Sequence, residues 1–369
     1  MQKIGILGGG QLGKMLLQAA ANYPVETYLM EADKDFPAAN LAHHFVKGDF
    51  KDYNEVYHFG KHLDAVAIEI ESVNEDALLK LEKKGVKTYP SSAALSIIKN
   101  KVLQKEFYYK HGIPTAEFVI TKNKKEVLQH SNLFPAIHKI GLGGYDGKGV
   151  AVINNSDDAS HAFDGPAVLE KKIKINKEIS VIVAVANNGE TVCYPAVDMI
   201  FDPQLNLLDY QVSPADITAE IASKAETIAL SVVKHLNSPG IFAVEMFIDT
   251  ENKVWVNETA PRVHNSGHHT IEANYSSQFD MLWRIMLNYP LGNPKHIIPA
   301  AIINLVGAEG HKGKPVYEGL NEVLAMDNVF VHIYGKKETR PGKKMGHATI
   351  LGSDKTELMR TAHKIKGTL

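Results

Sequence analysis

The chain has 369 residues, with 40 Lys+Arg against 42 Asp+Glu and a net charge of −2, which argues against a general nucleic-acid or polyanion binder. At roughly 100–200 residues per domain, the length predicts two or three domains. The single cysteine, Cys193, cannot form an intrachain disulfide, so a reducing, cytosolic setting is expected. Glycines and Gln11 interrupt the first apolar stretch, unlike a signal peptide. The longest apolar runs, Ile179 to Ala186 and Ile297 to Ala308, fall short of the ~20 residues needed to span a bilayer, so no membrane partner is expected.

The first hundred residues alternate strand and helix patterns. Lys3 to Leu7, Val25 to Met30, Phe45-Val46 and Ala65 to Ile70 read as strands. Gln11 to Ala21, Asn54 to His62 and Glu75 to Lys84 read as helices, with apolar residues three and four apart. Such alternation predicts a parallel sheet covered on both faces. Asn100 to His111 reads as a connecting helix stopped by Gly112-Ile113-Pro114. Short strands around a glycine-rich stretch follow, from Thr115 to Lys172. Beyond Glu178 come strands at Ile179 to Ala186, Gly240 to Asp249 and Lys253 to Glu258, and helices at Pro214 to His235 and Gln278 to Asn288. The expected class is α/β, α+β overall, in three units: 1–100, 101–177 and 178–369.

Gly8-Gly9-Gly10-Gln11-Leu12-Gly13 satisfies G-x-G-x-x-G between a strand and a helix, with Glu31 and Asp33 about twenty residues on. Alone, this motif fits either an NAD-dependent oxidoreductase or a Rossmann-like unit whose tight turn needs glycine. A second cluster, Gly141 to Gly149, holds five glycines in nine residues between two β-like segments. It reads as a hairpin flap whose amides could fold over a triphosphate, with Lys139 and Lys148 supplying charge. It lacks the Lys-Ser/Thr of a Walker A loop.

Gly240 to Ile248 and Val254 to Glu258 read as a hairpin. A two-residue turn at Glu251-Asn252 would pair Thr250 with Lys253 and place Glu245 opposite Glu258. Facing carboxylates about 4.5–5.5 Å apart at Cβ repel, and a divalent cation reverses that sign. Downstream, Arg262 offers a fixed-charge fork for a carboxylate or bicarbonate. His264 and His268 have the i, i+4 spacing of helical zinc ligands, but Gly267 and the missing Glu of H-E-x-x-H weigh against zinc.

Together these segments resemble the ATP-grasp superfamily, and within it the 5-(carboxyamino)imidazole ribonucleotide synthase family. The resemblance rests on GGGQLGKM at Gly8 to Met15, GGYDGKG at Gly143 to Gly149, NETAPRVHNSGH at Asn257 to His268 and RPGKKMGH at Arg340 to His347. It implies a Rossmann-like N-terminal domain, a small mobile lid and a larger C-terminal domain. It also implies ATP with Mg²⁺ or Mn²⁺, 5-aminoimidazole ribonucleotide and bicarbonate as reactants, and a homodimer. By position, Lys101 and Lys139 match phosphate lysines, and Glu170, Lys171 and Ile173 the adenine hinge. Glu178 matches the ribose acid, Asn257 a further nucleotide contact, and Glu245 and Glu258 the metal ligands. Arg262 and His264 match the bicarbonate segment, with Lys139 beside them in catalysis. Gln11, Glu71, Tyr145, Asp146, Lys336, Arg340, Lys343 and Lys344 match residues around the ribonucleotide. The chain departs from the family at Ile140-Gly141, where basic residues are common, and at Ser72, where Asn is common.

The expected chemistry is phosphorylation of bicarbonate to carboxyphosphate, then carboxylation of the exocyclic amine. Another ATP-grasp ligase or carboxylase would share the nucleotide site but differ in the first and last segments. An oxidoreductase accounts only for Gly8 to Gly13, and a non-catalytic basic-patch protein only for Lys336 to Lys344.

Overall fold

The N-terminal alternation of strand and helix builds a parallel sheet. In the computed structural model, which describes residues 1–144, 149–201 and 208–368, the first elements are β1 (Gln2–Leu7), α1 (Gln11–Ala20), β2 (Val25–Glu31), β3 (His44–Lys47), α2 (Tyr53–Gly60), β4 (Ala65–Ile68), α3 (Glu75–Glu82), β5 (Lys87–Tyr89) and α4 (Ser92–Lys99). The strands are parallel in the order β3-β2-β1-β4-β5. Strand order reverses beside β1, which opens a crevice at the carboxyl ends of β1 and β4. The strand expected to run to Ile70 stops at Ile68, so Glu69 and Glu71 enter this crevice from a bend. Helix α4, which periodicity did not signal, starts where the Ser91 side chain accepts the Ala94 N–H at 3.3 Å.

The connecting helix α5 (Lys101–Lys110) begins where expected, because Asn100 Oδ1 caps it by accepting from the Val102 and Leu103 amides. Next come β6 (Phe118–Thr121), α6 (Lys124–Val127), β7 (Ala136–Ile140), β8 (Val150–Ile153) and β9 (Ala167–Lys171). They form an antiparallel sheet in the order β6-β9-β7-β8. The glycine stretch lies between β7 and β8, which pair antiparallel. Tyr145, Asp146 and Lys148 lie outside the described residues.

The remaining chain supplies β10 (Ile175–Val185), β11 (Thr191–Cys193), β12 (Val197–Phe201), β13 (Leu208–Ser213), α7 (Ala219–Leu236), β14 (Gly240–Asp249), β15 (Val254–Ala260), α8 (Thr270–Ala273), α9 (Gln278–Met286), β16 (Ala300–Val306), α10 (Leu320–Leu324), β17 (Val329–Ile333), β18 (Lys344–Leu351) and α11 (Lys355–Thr368). Among the described residues they make one sheet, β15-β14-β10-β12-β13-β16-β18-β17, with β11 paired to β10. Helix α7 starts at Ala219 and not at Pro214, because Ala215 N–H is held by Ala196 O at 2.7 Å and Thr218 supplies the cap. One core joins the first sheet to the large one: α1 and α9 pack together, and Trp283 Nε1 donates to Leu16 O at 2.6 Å. Burying an aromatic of that size stabilises the contact by a few kcal/mol, and it fixes the crevice relative to β14 and β15.

The small sheet has its own core, with a fully buried His138 beneath it. Its Nδ1 accepts the Phe163 amide at 3.2 Å, and its other nitrogen faces Thr121 Oγ1 at 2.9 Å. Burial lowers its pKa to about 4, so the ring folds neutral. An unfolded histidine protonates near 6.5, so this stabilisation is complete above that pH and fades as pH falls toward about 4. The loss should reach roughly 2 kcal/mol by about pH 5. Hydrogen exchange in β6 to β9, normalised for intrinsic rates, should therefore speed up at least tenfold between about pH 7 and about pH 5, and His138→Gln should flatten that response. Equal responses in both proteins would contradict the assignment.

Candidate active site

The hairpin β14–β15 sets the centre of the site. Its outer register pairs Ile248 with Val254, one residue away from the expected count. The loop holds three residues, Thr250 to Asn252, with Asn252 at φ 62 and its N–H on Asp249 O at 3.0 Å. A β-bulge at Asn257 then shifts the register back, so Glu245 does face Glu258. The opposed pair is present, by a different route from the one read in the sequence.

Around this pair the charges are arranged in sequence. Lys101, in the first turn of α5, forms an ion pair with Glu258. That contact, led by the Coulombic pull of Lys101, holds Glu258 below the usual carboxylate range. Glu245 is pushed up by burial and then by Glu258. One carboxylate thus keeps its charge and its neighbour resists ionising. Two facing carboxylates in this state fit a divalent cation, whose charge would allow both to ionise.

His264 Nε2 lies 3.3 Å from Glu245 Oε1. Its Nδ1 accepts the Ser266 N–H at 3.3 Å and lies 2.9 Å from Ser266 Oγ, itself 2.9 Å from Ser180 Oγ. A nitrogen accepting an amide proton carries none, so the proton sits on Nε2, facing Glu245. Burial, then Arg262, lowers the His264 pKa to about 3, and the ring is neutral. The Gln278 amide clamps the backbone, accepting from His264 N at 2.8 Å and donating to His264 O at 2.7 Å. His268 does not join His264: it is buried, stacked 4.5 Å from the His347 ring. The two histidines of the zinc-like spacing therefore face different surroundings.

The small sheet contributes the next layer. Lys139 on β7 donates to Asn257 Oδ1 at 2.7 Å, the bulged residue, and reaches Glu170 at 3.3 Å. Lys105, one helical turn after Lys101, pairs with Glu170 at 3.2 Å and bonds Thr115. Burial lowers the Lys105 pKa to about 8. Glu170, buried, stays ionised because Lys139 and Lys105 outweigh its desolvation. Sequence reading missed Lys105, although the Lys101-x-x-x-Lys105 spacing on one helix face was available. Glu178 on β10 lies nearby, with burial raising its pKa to about 7 against the pull of Lys139. Ile173 is half-buried between β9 and β10, whereas the Lys171 side chain points outward to Glu117 at 3.5 Å.

The crevice of the first sheet closes the other side. Arg262 Nη2 lies 3.2 Å from Glu71 Oε1, and its Nη1 donates to Val263 O at 3.1 Å. Lys14 Nζ, in α1 just past Gln11, donates to Ile333 O at 2.7 Å and Tyr334 O at 3.2 Å. That bond ties the start of the basic segment after β17 to α1. Within it Lys336 donates to Lys344 O at 2.7 Å and lies 5.4 Å from the Tyr334 ring centroid. Gly342, at φ 71, donates to Gly307 O at 3.0 Å, and Lys343 Nζ donates to Glu338 O at 2.8 Å, leaving Arg340 exposed. In the glycine loop itself, Glu31 accepts the Gly9 N–H at 2.7 Å. The acid that a dinucleotide fold would turn toward a ribose here holds the loop from inside.

Comparison with known proteins agrees with this architecture. Residues 1–99 match the ribonucleotide synthetase preATP-grasp domain, 106–279 the ATP-grasp domain, and 300–361 the phosphoribosylaminoimidazole carboxylase C-terminal domain. The chain is 35% identical over 359 residues to the chloroplastic phosphoribosylaminoimidazole carboxylase of Vigna aconitifolia, covering 95% of this chain and 64% of that protein's length. It is 32% identical to the N5-carboxyaminoimidazole ribonucleotide synthase of Staphylococcus aureus, covering 95% of this chain and 93% of the relative. The N5-carboxyaminoimidazole ribonucleotide synthetase of Thermotoga maritima superposes with a TM-score of 0.92 at 38% identity, over 100% of this chain and 98% of that one. An Aspergillus clavatus synthase solved with ADP and 5-aminoimidazole ribonucleotide gives 0.91 at 30% identity, over 99% and 98%. With matches to all three domain models and a relative of 32% identity covered to 93% of its length, the chain belongs to the N5-carboxyaminoimidazole ribonucleotide synthase family of ATP-grasp ligases.

Proposed function

We propose that the protein carboxylates the exocyclic amine of 5-aminoimidazole ribonucleotide, using bicarbonate and ATP, in purine biosynthesis. The observation that carries this reading is a pair of neighbouring contact sets, Glu71–Arg262 and, two residues on, His264–Glu245 opposite Glu258–Lys101. It leads from the sheet crevice to the nucleotide lysines through a guanidinium of the right charge for bicarbonate.

The γ-phosphorus of ATP is attacked by a bicarbonate oxygen, the bond to the β-phosphate oxygen breaks, and ADP leaves. The amine nitrogen then forms a bond to the carboxyl carbon, the carbon–oxygen bond to phosphate breaks, and the amine gives up a proton. Lys101 and Lys139 hold phosphates, Glu170 with the Lys171–Ile173 backbone receives adenine, and Glu178 receives ribose hydroxyls. Arg262 orients bicarbonate, and neutral His264 acts as a hydrogen-bond donor rather than a charge. Glu245 and Glu258 would hold Mg²⁺ or Mn²⁺, which supplies charge neutralisation at the transferring phosphoryl group. Gln11 and Glu71 face the base of the ribonucleotide, and Lys336, Arg340, Lys343 and Lys344 its phosphate. The flap with Tyr145, Asp146 and Lys148 excludes water, to which carboxyphosphate is vulnerable. A homodimer in the cytosol completes the proposal.

Glu258→Gln removes one carboxylate of the opposed pair and the partner of Lys101. Turnover should fall by about two orders of magnitude or more at limiting Mg²⁺, with the melting temperature nearly unchanged. Turnover near wild type in both Glu258→Gln and Glu245→Gln would refute the metal pair. A separate test follows from Glu178, whose pKa lies near 7. Only the ionised carboxylate accepts two ribose hydroxyl protons, so the KM for ATP should rise as pH falls through about 7 and become flat in Glu178→Gln. A wild-type KM independent of pH across that range would remove Glu178 from the ribose position.

A further inference from the structure

Helix α1 begins without a cap of its own. Its N-cap is Gly10, which has no side chain to offer, and its first turn holds no acidic residue. The free amides at such an end need an acceptor, usually a side-chain oxygen bonded to the second or third helical N–H. In a dinucleotide fold a pyrophosphate takes that place. Here Glu69, from the bend after β4, takes it. Its Oε1 accepts the Leu12 amide at 3.2 Å, and the Gly13 amide also bonds the carboxylate. Those are the second and third helical positions.

The glycines are cut to fit this carboxylate. A Cβ at Gly10 would lie 2.5 Å from Glu69 Oε1, and one at Gly8, where φ is 106, would lie 2.7 Å from Oε2. Glu69 is 8% exposed, and its own N–H is fixed to Leu7 O at 2.8 Å. Burial raises its pKa to about 7; Arg262 and the two amides oppose that shift, and Glu31 adds to it. Arg262 is the guanidinium that also pairs with Glu71, two residues along. One side chain therefore touches both the glycine loop bearing Gln11 and the field of the bicarbonate arginine.

We propose that Glu69 is a positioning residue: its carboxylate is a built-in anion at the start of α1, which fixes the Gly8–Gly13 loop and Gln11 for the ribonucleotide and occupies the place a phosphate would take. The proposal rests on the carboxylation reading for its kinetic part only. Glu69 does not itself contact reacting atoms, so its loss weakens ribonucleotide binding and leaves the nucleotide site alone.

The test uses the full chain with Glu69→Gln and Glu69→Ala. Losing a charge-assisted hydrogen bond should raise the KM for 5-aminoimidazole ribonucleotide roughly ten- to a hundredfold, with kcat and the KM for ATP within about twofold of wild type. Formate at tens of millimolar should raise the melting temperature of Glu69→Ala, and restore its ribonucleotide KM, with chloride at equal ionic strength as control. It should do neither for wild type or for Glu69→Gln, in which the place is filled. The melting shift needs no substrate, so it decides the anion seat even if wild type shows no ribonucleotide-stimulated ATP consumption, a result that would sink the carboxylation reading instead. A folded Glu69→Ala protein blind to formate, a Glu69→Gln protein with wild-type ribonucleotide KM, or a fall in kcat at constant KM would overturn the proposal. Should Glu69→Ala not fold, Glu69→Gln decides it.

Discussion

Two carboxylates forced to face each other on one hairpin are the constraint around which the site is built. Glu245 and Glu258 meet only because the bulge at Asn257 shifts β15 by one residue. Without that shift the strand's alternation would turn Glu258 to the opposite face. The same bulged residue receives Lys139 from the small sheet. One local irregularity therefore sets the repulsive pair and anchors the lid sheet beside it. Lys101 relieves the repulsion on one member and the Nε2 proton of His264 faces the other.

The layers outside the pair repeat one pattern, an acid set against a base. Glu170 stands between Lys105 and Lys139, Arg262 reaches Glu71, and Glu272 reaches His332 at 2.6 Å. Breaking one partner of such a buried pair is costly because the other is left uncompensated. The nucleotide phosphates compete for the lysines that these acids now hold. On the proposed reading, ATP binding would exchange internal anions for external ones, starting at Lys139, which is shared between Glu170 and Asn257.

Much of this was legible in the sequence where the signal is local. The connecting helix from Asn100, the alternation in the first sheet and the opposed glutamates can all be read from short windows. The hairpin reading reached the right pair through the wrong turn, since a three-residue loop and a distant bulge cancel in the count. Helix α4 was missed because its eight residues are too short a window to show a period. Lys105 and Glu69 were missed for another reason: each acts across the fold, on Glu170 and on the start of α1. Nothing at residue 69 shows that its side chain fills the mouth of a glycine motif 57 residues away. The G-x-G-x-x-G pattern, read alone, suggests an external phosphate, and only the tertiary structure reveals that the anion is a side chain.

The central claim is that this cleft activates bicarbonate by phosphorylation before the amine is carboxylated. The most direct measurement follows oxygen: turnover with ¹⁸O-labelled bicarbonate, ATP and 5-aminoimidazole ribonucleotide in unlabelled water, with mass analysis of the inorganic phosphate. Cleavage of the carbon–oxygen bond in carboxyphosphate leaves one bicarbonate oxygen on phosphorus, so each phosphate released should carry one ¹⁸O. Phosphate that takes its new oxygen from water would mean that ATP is hydrolysed without passing through bicarbonate, and would contradict the account.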